Sequence, residues 1–251
     1  MKTNFYKIML IACLMISPVI NLQSQPPIKP LHKQMEQKEE KKSAKPAETK
    51  HNEKEDGEEH SHSVSIDALL EGNEHFRNDI RKNQNFEQQR EELSKGQKPN
   101  YIVVACSDSR VSPELVFDNG LGEVFVVRTA GNVVDSVGLG SVEYAAEHLH
   151  SKMIIVMGHT SCGAVTAAME GETPSPYINS IIKYITPAVK TAKSAKGDKT
   201  KMLNKAIEEN VKNQIKSIRK SDIIKHLEHE GELTIVGCIY DIKTGEIKMI
   251  K

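Results

Sequence analysis

The sequence has no tryptophan, and aromatic residues make up only 4% of its 251 positions. Its 34 basic residues are balanced by 34 acidic ones, so the formal net charge is zero. Because a basic surface and aromatic platforms for stacked bases are both missing, we expect no binding of nucleic acid. The chain also lacks a Walker loop and a complete G-x-G-x-x-G motif, so nothing in it indicates a phosphate-binding nucleotide site.

The first residues have the pattern of a secretory signal. Lys2 and Lys7 precede an apolar run over residues 8–20. That run has the length of a signal-peptide hydrophobic segment and is too short to span a bilayer comfortably. We therefore interpret residues 1–24 as a signal peptide cleaved near Ser24. The expected product is exported, in the bacterial periplasm, and has no membrane span in its mature form.

Two other interpretations of this segment stay open. Residues 10–13 (Leu-Ile-Ala-Cys) are similar to a lipoprotein cleavage box, in which Cys13 would carry the lipid. The segment could also remain uncleaved as an N-terminal anchor. Ordinary secretion is preferred, because few apolar residues precede Cys13 and the apolar run continues beyond it.

Residues 25–63 are rich in proline, lysine and glutamate and have almost no apolar periodicity. Such a segment cannot bury enough apolar surface to offset its loss of conformational entropy. We predict a disordered, charged linker here. Residues 64–251 then form the folded domain.

That domain has the pattern of an α/β fold. Apolar runs at 101–105, 123–128, 153–158 and 233–241 predict strands, and amphipathic stretches separate them. Because a strand, a crossover helix and a parallel strand form a right-handed unit, the order predicts a mostly parallel central sheet flanked by helices. A final short strand is expected at 247–250.

Three helix predictions can be compared directly with a structure. Ser65 is a suitable N-cap for a helix that runs toward Phe76. A helix over 136–150 would place Val137 on its apolar side. The stretch 201–230 predicts one long helix whose apolar stripe consists of Leu203, Ile207, Val211, Ile215, Ile218 and Ile223.

Four cysteines are too few and too scattered for a disulfide framework. Cys13 lies in the targeting segment, and Cys238 lies inside an apolar strand, where it is most simply a small buried core residue. The remaining two, Cys106 and Cys162, each follow or approach the end of a predicted strand. They are therefore the candidates for chemistry.

Two short motifs each follow an apolar run that predicts a buried strand. Residues 106–110 (Cys-Ser-Asp-Ser-Arg) follow the run 101–105, and residues 159–162 (His-Thr-Ser-Cys) follow the run 153–158. In a parallel sheet both motifs lie at the same carboxyl edge, where open α/β folds bind ligands. We therefore expect two thiols and one imidazole to converge there.

Cys106, His159 and Cys162 are the predicted metal ligands, and Zn²⁺ is the predicted cofactor. Thiolate and imidazole are zinc ligands, and three protein ligands leave one position open, as in catalytic zinc sites. His159 and Cys162 are close enough in sequence to bind one ion from a single turn. Each residue alone could be an ordinary buried core residue, but their joint pattern favours a metal.

These motifs closely resemble those of the β-class carbonic anhydrases. Residues 128–132 (Arg-Thr-Ala-Gly-Asn), 141–145 (Ser-Val-Glu-Tyr-Ala) and 237–241 (Gly-Cys-Ile-Tyr-Asp) are also similar to that family, and the resemblance covers about residues 64–251. It implies zinc-dependent, reversible hydration of carbon dioxide to bicarbonate and a proton. It further implies a homodimer or homotetramer, with a substrate pocket completed across the dimer interface.

Asp108 and Arg110 are the predicted catalytic residues beside the metal. They lie two residues apart in a turn and can form a charge-assisted pair. By the resemblance, Asp108 either takes the fourth zinc position in a closed state, or pairs with Arg110 and accepts a hydrogen bond from zinc-bound water. Gly131 and Asn132 are expected to shape a loop near the pocket.

Two alternative functions stay open at this point. One is hydrolysis of a related linear substrate, such as carbon disulfide, on the same fold. The other is a zinc-holding interaction or sensor protein without turnover. The presence of Asp108 and Arg110 argues against the second, because retention of zinc alone would not require them.

Overall fold

The computed structural model describes residues 64–82, 85–171, 175–194 and 197–250. The predicted signal peptide, Cys13 and the predicted linker over 25–63 lie outside these residues, so those interpretations stay predictions. Within the described part of the chain, no helix is long and apolar enough to cross a membrane.

A five-stranded sheet forms the centre of the described domain. Its spatial order is β2-β1-β3-β4-β5, and only β5, at one edge, runs antiparallel to its neighbour. The predicted α/β fold with a mostly parallel sheet is therefore confirmed. The strands are β1 (Tyr101–Cys106), β2 (Val124–Thr129), β3 (Met153–His159), β4 (Thr234–Tyr240) and β5 (Ile247–Met249).

Helices connect the strands and flank the sheet. Every residue of β1 and β3 is buried, which explains why these two strands appear in the sequence as continuous apolar runs. The helices are α1 (Ile66–Arg77), α2 (Phe86–Glu92), α3 (Pro113–Val116), α4 (Ser136–Glu147), α5 (Gly163–Glu170), α6 (Pro176–Lys193), α7 (Lys199–Ile218) and α8 (Asp222–His229).

Local capping agrees with the prediction at the start of the domain. The Ser65 hydroxyl accepts a hydrogen bond from the Ala68 N–H at 3.1 Å, so Ser65 is the N-cap of α1. Asn73, on the buried side of α1, bonds to the backbone of Val116, Gly245 and Ile247. The helix is thereby fastened to α3 and to the turn between β4 and β5.

The single long helix predicted over 201–230 is wrong. The chain forms α7 and α8 instead, and Ser221 begins the second helix by accepting a hydrogen bond from the Ile224 N–H at 3.2 Å. A serine side chain that bonds to the backbone favours the start of a new helix over continuation of the previous one. The apolar residues of α8 therefore do not continue the stripe of α7. Ile223, which the single-helix stripe included, is 38% exposed, and Ile224 is buried in its place.

Val137 is a second correction. The prediction placed it on the apolar side of α4, but its side chain is 75% exposed. The buried residues of this helix are Gly138, Val142, Ala145 and Ala146. Val137 precedes Val142 by five residues, which is about 140° around a helix with 3.6 residues per turn, so the two cannot share a face.

Candidate metal centre

The three predicted metal ligands meet at the carboxyl edge of the sheet. Cys106 ends β1, His159 ends the adjacent parallel strand β3, and Cys162 is the N-cap of α5. One ligand atom from each residue lies within 4.8 Å of the other two, and all three residues are buried. The predicted convergence is therefore confirmed, and it follows from neighbouring parallel strands ending at the same level.

His159 is oriented for metal binding by its own backbone neighbour. Its Nδ1 lies 2.9 Å from the Thr160 carbonyl oxygen. Since a carbonyl can only accept, Nδ1 carries a proton, and Nε2 is the nitrogen that can bind a metal. Nε2 is buried and has no hydrogen-bond partner among the described residues. A cation at this position would satisfy an otherwise unpaired polar atom, which makes the site a good fit for a metal.

The thiol groups of Cys106 and Cys162 shift each other's pKa in opposite directions. A hydrogen bond from the Cys162 thiol lowers the pKa of Cys106, and donation of that proton, together with burial, raises the pKa of Cys162. The Gly131 N–H also points at Cys106 Sγ, at 3.2 Å. Zn²⁺ would allow both groups to be thiolates, because its charge offsets theirs. Two sulfurs and one imidazole form a zinc donor set with one open position.

Asp108 is paired with Arg110 at the rim of this centre. Arg110 Nε donates to Oδ1 at 2.9 Å and Nη2 donates to Oδ2 at 2.7 Å, while the Arg110 backbone N–H also donates to Oδ1 at 3.0 Å. These bonds hold the pKa of the Asp108 carboxyl well below its usual range. Asp108 Oδ2 also lies 3.9 Å from His159 Nε2, so the carboxylate faces the place where a metal would bind.

Arg128 supports the turn that carries Cys106 and Asp108. Its Nε donates to the Cys106 carbonyl oxygen at 3.1 Å and its Nη2 donates to the Asp108 carbonyl oxygen at 2.7 Å. In the sequence, Arg128 is recognisable only as part of a family motif. Its position beside Cys106 follows from the pairing of β1 with β2, which places Arg128 opposite Ala105.

A family model described as carbonic anhydrase matches residues 101–247. Carbonic anhydrase 2 of Mycobacterium tuberculosis is 37% identical over 185 residues, which cover 71% of this chain and 87% of that protein. The carbonic anhydrase of Mycolicibacterium smegmatis is 36% identical over 189 residues, covering 72% and 90%. The chain belongs to the carbonic anhydrase family.

Solved structures place this carbonic anhydrase in the β class. A Coccomyxa β-carbonic anhydrase in complex with acetazolamide is 32% identical, with a TM-score of 0.59, and the match covers 64% of this chain and 75% of that one. One of two tetrameric β-carbonic anhydrases from Sordaria macrospora is 26% identical with a TM-score of 0.60, covering 64% and 84%. Zinc is the cofactor of this class, and the residues Cys106, His159 and Cys162 fit it.

Proposed function

We propose that this β-carbonic anhydrase catalyses the reversible hydration of carbon dioxide to bicarbonate and a proton at the centre formed by Cys106, His159 and Cys162. The observation that carries the proposal is the approach of three buried ligand atoms to within 4.8 Å, next to a carboxylate that Arg110 holds in place. Zn²⁺ bound there supplies a Lewis acid that brings the pKa of a coordinated water toward neutrality.

Asp108 is proposed to orient the nucleophilic water. Its low pKa keeps the carboxylate ionised at neutral pH, so it can only accept a hydrogen bond. Arg110 supplies two donors to Oδ1 and one to Oδ2, and a carboxylate oxygen can accept more than one bond. Oδ2 can therefore accept a further hydrogen bond from a donor on the side that faces His159.

Arg110 has a positioning role in this proposal. The planar guanidinium binds both carboxylate oxygens, which fixes the plane and the direction of the Asp108 side chain. Arg128 fixes the backbone of the same turn from the other side, through the carbonyl oxygens of Cys106 and Asp108. The carboxylate is thus held in position before any substrate arrives.

The experiment that tests this function is a carbon dioxide hydration assay on purified protein, combined with a measurement of bound zinc. We expect catalysis that rises in proportion to zinc content. Hydrolysis of carbon disulfide without hydration of carbon dioxide would favour the related hydrolase. Full zinc occupancy without turnover of either substrate would favour the non-catalytic zinc protein.

We further propose that the enzyme is a homodimer or a homotetramer. Strand β2 lies at an edge of the sheet with an apolar, uncharged sequence over Val124–Val127, and unprotected edges of this kind favour pairing with another chain. Several large apolar side chains are also exposed, namely Leu115, Leu121, Val137 and Tyr177. Light scattering during size-exclusion chromatography tests the proposal, and a monomer at micromolar concentration would contradict it.

Export to the periplasm is proposed from the N-terminal sequence alone. The basic residues Lys2 and Lys7, followed by the apolar run 8–20, support a cleaved signal peptide. Fractionation of cells that express the full chain, followed by N-terminal sequencing, tests it. A Cys13→Ala variant distinguishes the two cleaved forms, since membrane attachment that disappears with this substitution would indicate the lipoprotein.

A further inference from the structure

Two buried amide side chains connect helix α7 to the loop beside the metal centre. Asn210 and Gln214 lie one helical turn apart, and each is only 1% exposed. Gln214 Nε2 donates to Asn210 Oδ1 at 3.1 Å. A buried polar side chain without a hydrogen-bond partner loses its hydration without compensation. Both amide side chains have such partners.

The amide pair binds the loop at two backbone positions. Gln214 Oε1 accepts a hydrogen bond from the Val134 N–H at 2.9 Å, and Asn210 Nδ2 donates to the Gly131 carbonyl oxygen at 2.8 Å. The N–H of the same Gly131 donates to Cys106 Sγ at 3.2 Å. Hydrogen bonds on both sides of the Gly131 backbone therefore connect α7 to Cys106, one of the three predicted metal ligands.

The direction of every bond in this path is determined by its ends. A backbone N–H can only donate, so Gln214 must present its oxygen to Val134, and its nitrogen then faces Asn210. Asn210 must in turn present its oxygen to Gln214 and its nitrogen to the Gly131 carbonyl, which can only accept. The orientation of both amides, which is ambiguous for an isolated side chain, is thereby unique.

The loop has an uncommon backbone conformation, which Gly131 adopts without steric cost and Asn132 adopts less readily. Gly131 has a φ of +70° and Asn132 a φ of +46°, so two consecutive residues adopt the left-handed conformation. Gly131 also packs closely, since a Cβ there would lie 2.7 Å from Ile185 Cδ1 and 3.1 Å from Ala164 Cβ. A loop that relaxed toward an ordinary conformation would move the Gly131 N–H away from Cys106.

We propose that Asn210 and Gln214 are positioning residues of the metal centre, which keep the Gly131 N–H hydrogen-bonded to Cys106 Sγ. A hydrogen bond to a thiolate ligand withdraws negative charge from the sulfur. It therefore adjusts how strongly that sulfur donates to the metal, and outer partners of this kind commonly change metal affinity or activity by about 10- to 100-fold. The function of the two amides is thus electronic as well as structural.

This inference deepens the proposed function, since it concerns the same centre, but its test does not depend on turnover. The variants are Asn210→Leu and Gln214→Met, which keep the approximate volume of each side chain and remove its hydrogen bonds. The matched control is Asn73→Leu. Asn73 is also a buried amide, 3% exposed, that binds three backbone groups. Two of its partners, Val116 and Ile247, belong to a core cluster that does not include Cys106 or Cys162.

Three quantities are measured on each protein. They are the thiolate-to-cobalt charge-transfer band after substitution with Co²⁺, the zinc dissociation constant from competition with a chelator, and the midpoint of denaturant unfolding. We expect the Asn210 and Gln214 variants to shift the band and to raise the zinc dissociation constant about 10- to 100-fold. The Asn73 control should lower the unfolding midpoint and leave the band and the zinc affinity as in the wild type.

The proposal is overturned if the Asn210 and Gln214 variants lose stability as the control does and keep the wild-type band and zinc affinity. If neither variant folds, the wild-type protein loaded with an NMR-active cadmium isotope still tests the N–H···S bond on which the proposal depends. A scalar coupling between the Gly131 amide proton and the metal would support the N–H···S bond, and its absence would overturn the proposal. A protein inactive toward carbon dioxide that still shows these effects would refute only the proposed function.

Discussion

Arg110 binds the oxygen of Asp108 that faces His159 and the candidate metal centre. Arg110 Nη2 donates to Asp108 Oδ2 at 2.7 Å, and that oxygen lies 3.9 Å from Nε2 of His159. A carboxylate so close to a divalent cation would be a good ligand if nothing else held it. A metal at this centre would therefore compete with the guanidinium for Asp108, and the guanidinium would keep the carboxylate available as a hydrogen-bond acceptor and the fourth metal position open for water.

Removal of this guanidinium should close the site. We expect Arg110→Ala to let Asp108 take the fourth zinc position, and to lower kcat/KM about 10- to 100-fold, the range for lost outer partners of a metal centre. Zinc coordination by X-ray absorption and hydration rates check this result. The control is Arg219→Ala, which removes an equally bidentate pair with Glu228 at the surface. Wild-type turnover and unchanged coordination in Arg110→Ala would refute the competition.

Replacement of one thiol should release the metal. Cys106→Ser exchanges a soft thiolate for a hydroxyl that stays protonated, so we expect a sharp loss of bound zinc and of hydration activity. Cys238→Ser is the matched control. Its thiol is fully buried, with a pKa raised by burial to about 12, and it lies away from the ligand group. Zinc content by atomic absorption should fall in the first variant alone, and full occupancy in Cys106→Ser would disprove the ligand assignment.

Zinc binding should release about one proton near neutral pH. The hydrogen bond between the two groups lowers the pKa of Cys106 and raises that of Cys162 in the metal-free protein, so we expect one thiolate and one thiol before zinc binds. Only Cys162 must then lose a proton, and zinc affinity should rise about tenfold for each pH unit. Calorimetry in buffers of different ionisation enthalpy measures the number of protons released when zinc binds. The measurement is made on the acid side of neutrality, where a zinc-bound water keeps its proton, and release of two protons there would mean that both groups are thiols before binding.

Two helical glycines should respond to alanine in opposite directions. A Cβ at Gly72 in α1 would lie 2.0 Å from the Phe117 carbonyl oxygen, whereas a Cβ at Gly140 in α4 would meet nothing within 4 Å. We expect Gly72→Ala to reduce the free energy of unfolding by about 1–3 kcal/mol through overpacking. Gly140→Ala should increase it by about 0.5–1 kcal/mol through helix propensity. Denaturant titration of both variants checks the pair, and equal effects would contradict the packing of α1 on Phe117.

Deletion of residues 25–63 should leave the folded domain and its activity intact. That segment has almost no apolar residues with which to contribute to a core. The described domain begins with α1, whose cap and buried contacts involve residues from Ser65 onward. Circular dichroism and hydration rates of the shortened protein check the prediction, and loss of soluble, folded protein would show that the segment is required.

Local patterns were sufficient for much of the fold. The continuous apolar run before Cys106 predicted β1, and the Ser65 cap predicted the start of α1. The break between α7 and α8 was missed although Ser221 is a good N-cap, because a sustained apolar stripe outweighed a single capping residue. All of these signals depend on neighbours within a few residues, and that is why they can be recognised in the sequence.

The sequence by itself determined which residues are the candidate metal ligands, because Cys106, His159 and Cys162 have the side chains that zinc prefers and stand directly after two apolar runs. Only the tertiary structure decided how those residues are held. Asn210 and Gly131, 79 residues apart, form a hydrogen bond, and in the sequence Asn210 is one polar residue among many in a charged helix. Its role depends on how α7 packs on the loop. Contacts between segments so far apart in the chain cannot be recognised from the residues next to Asn210 in the sequence.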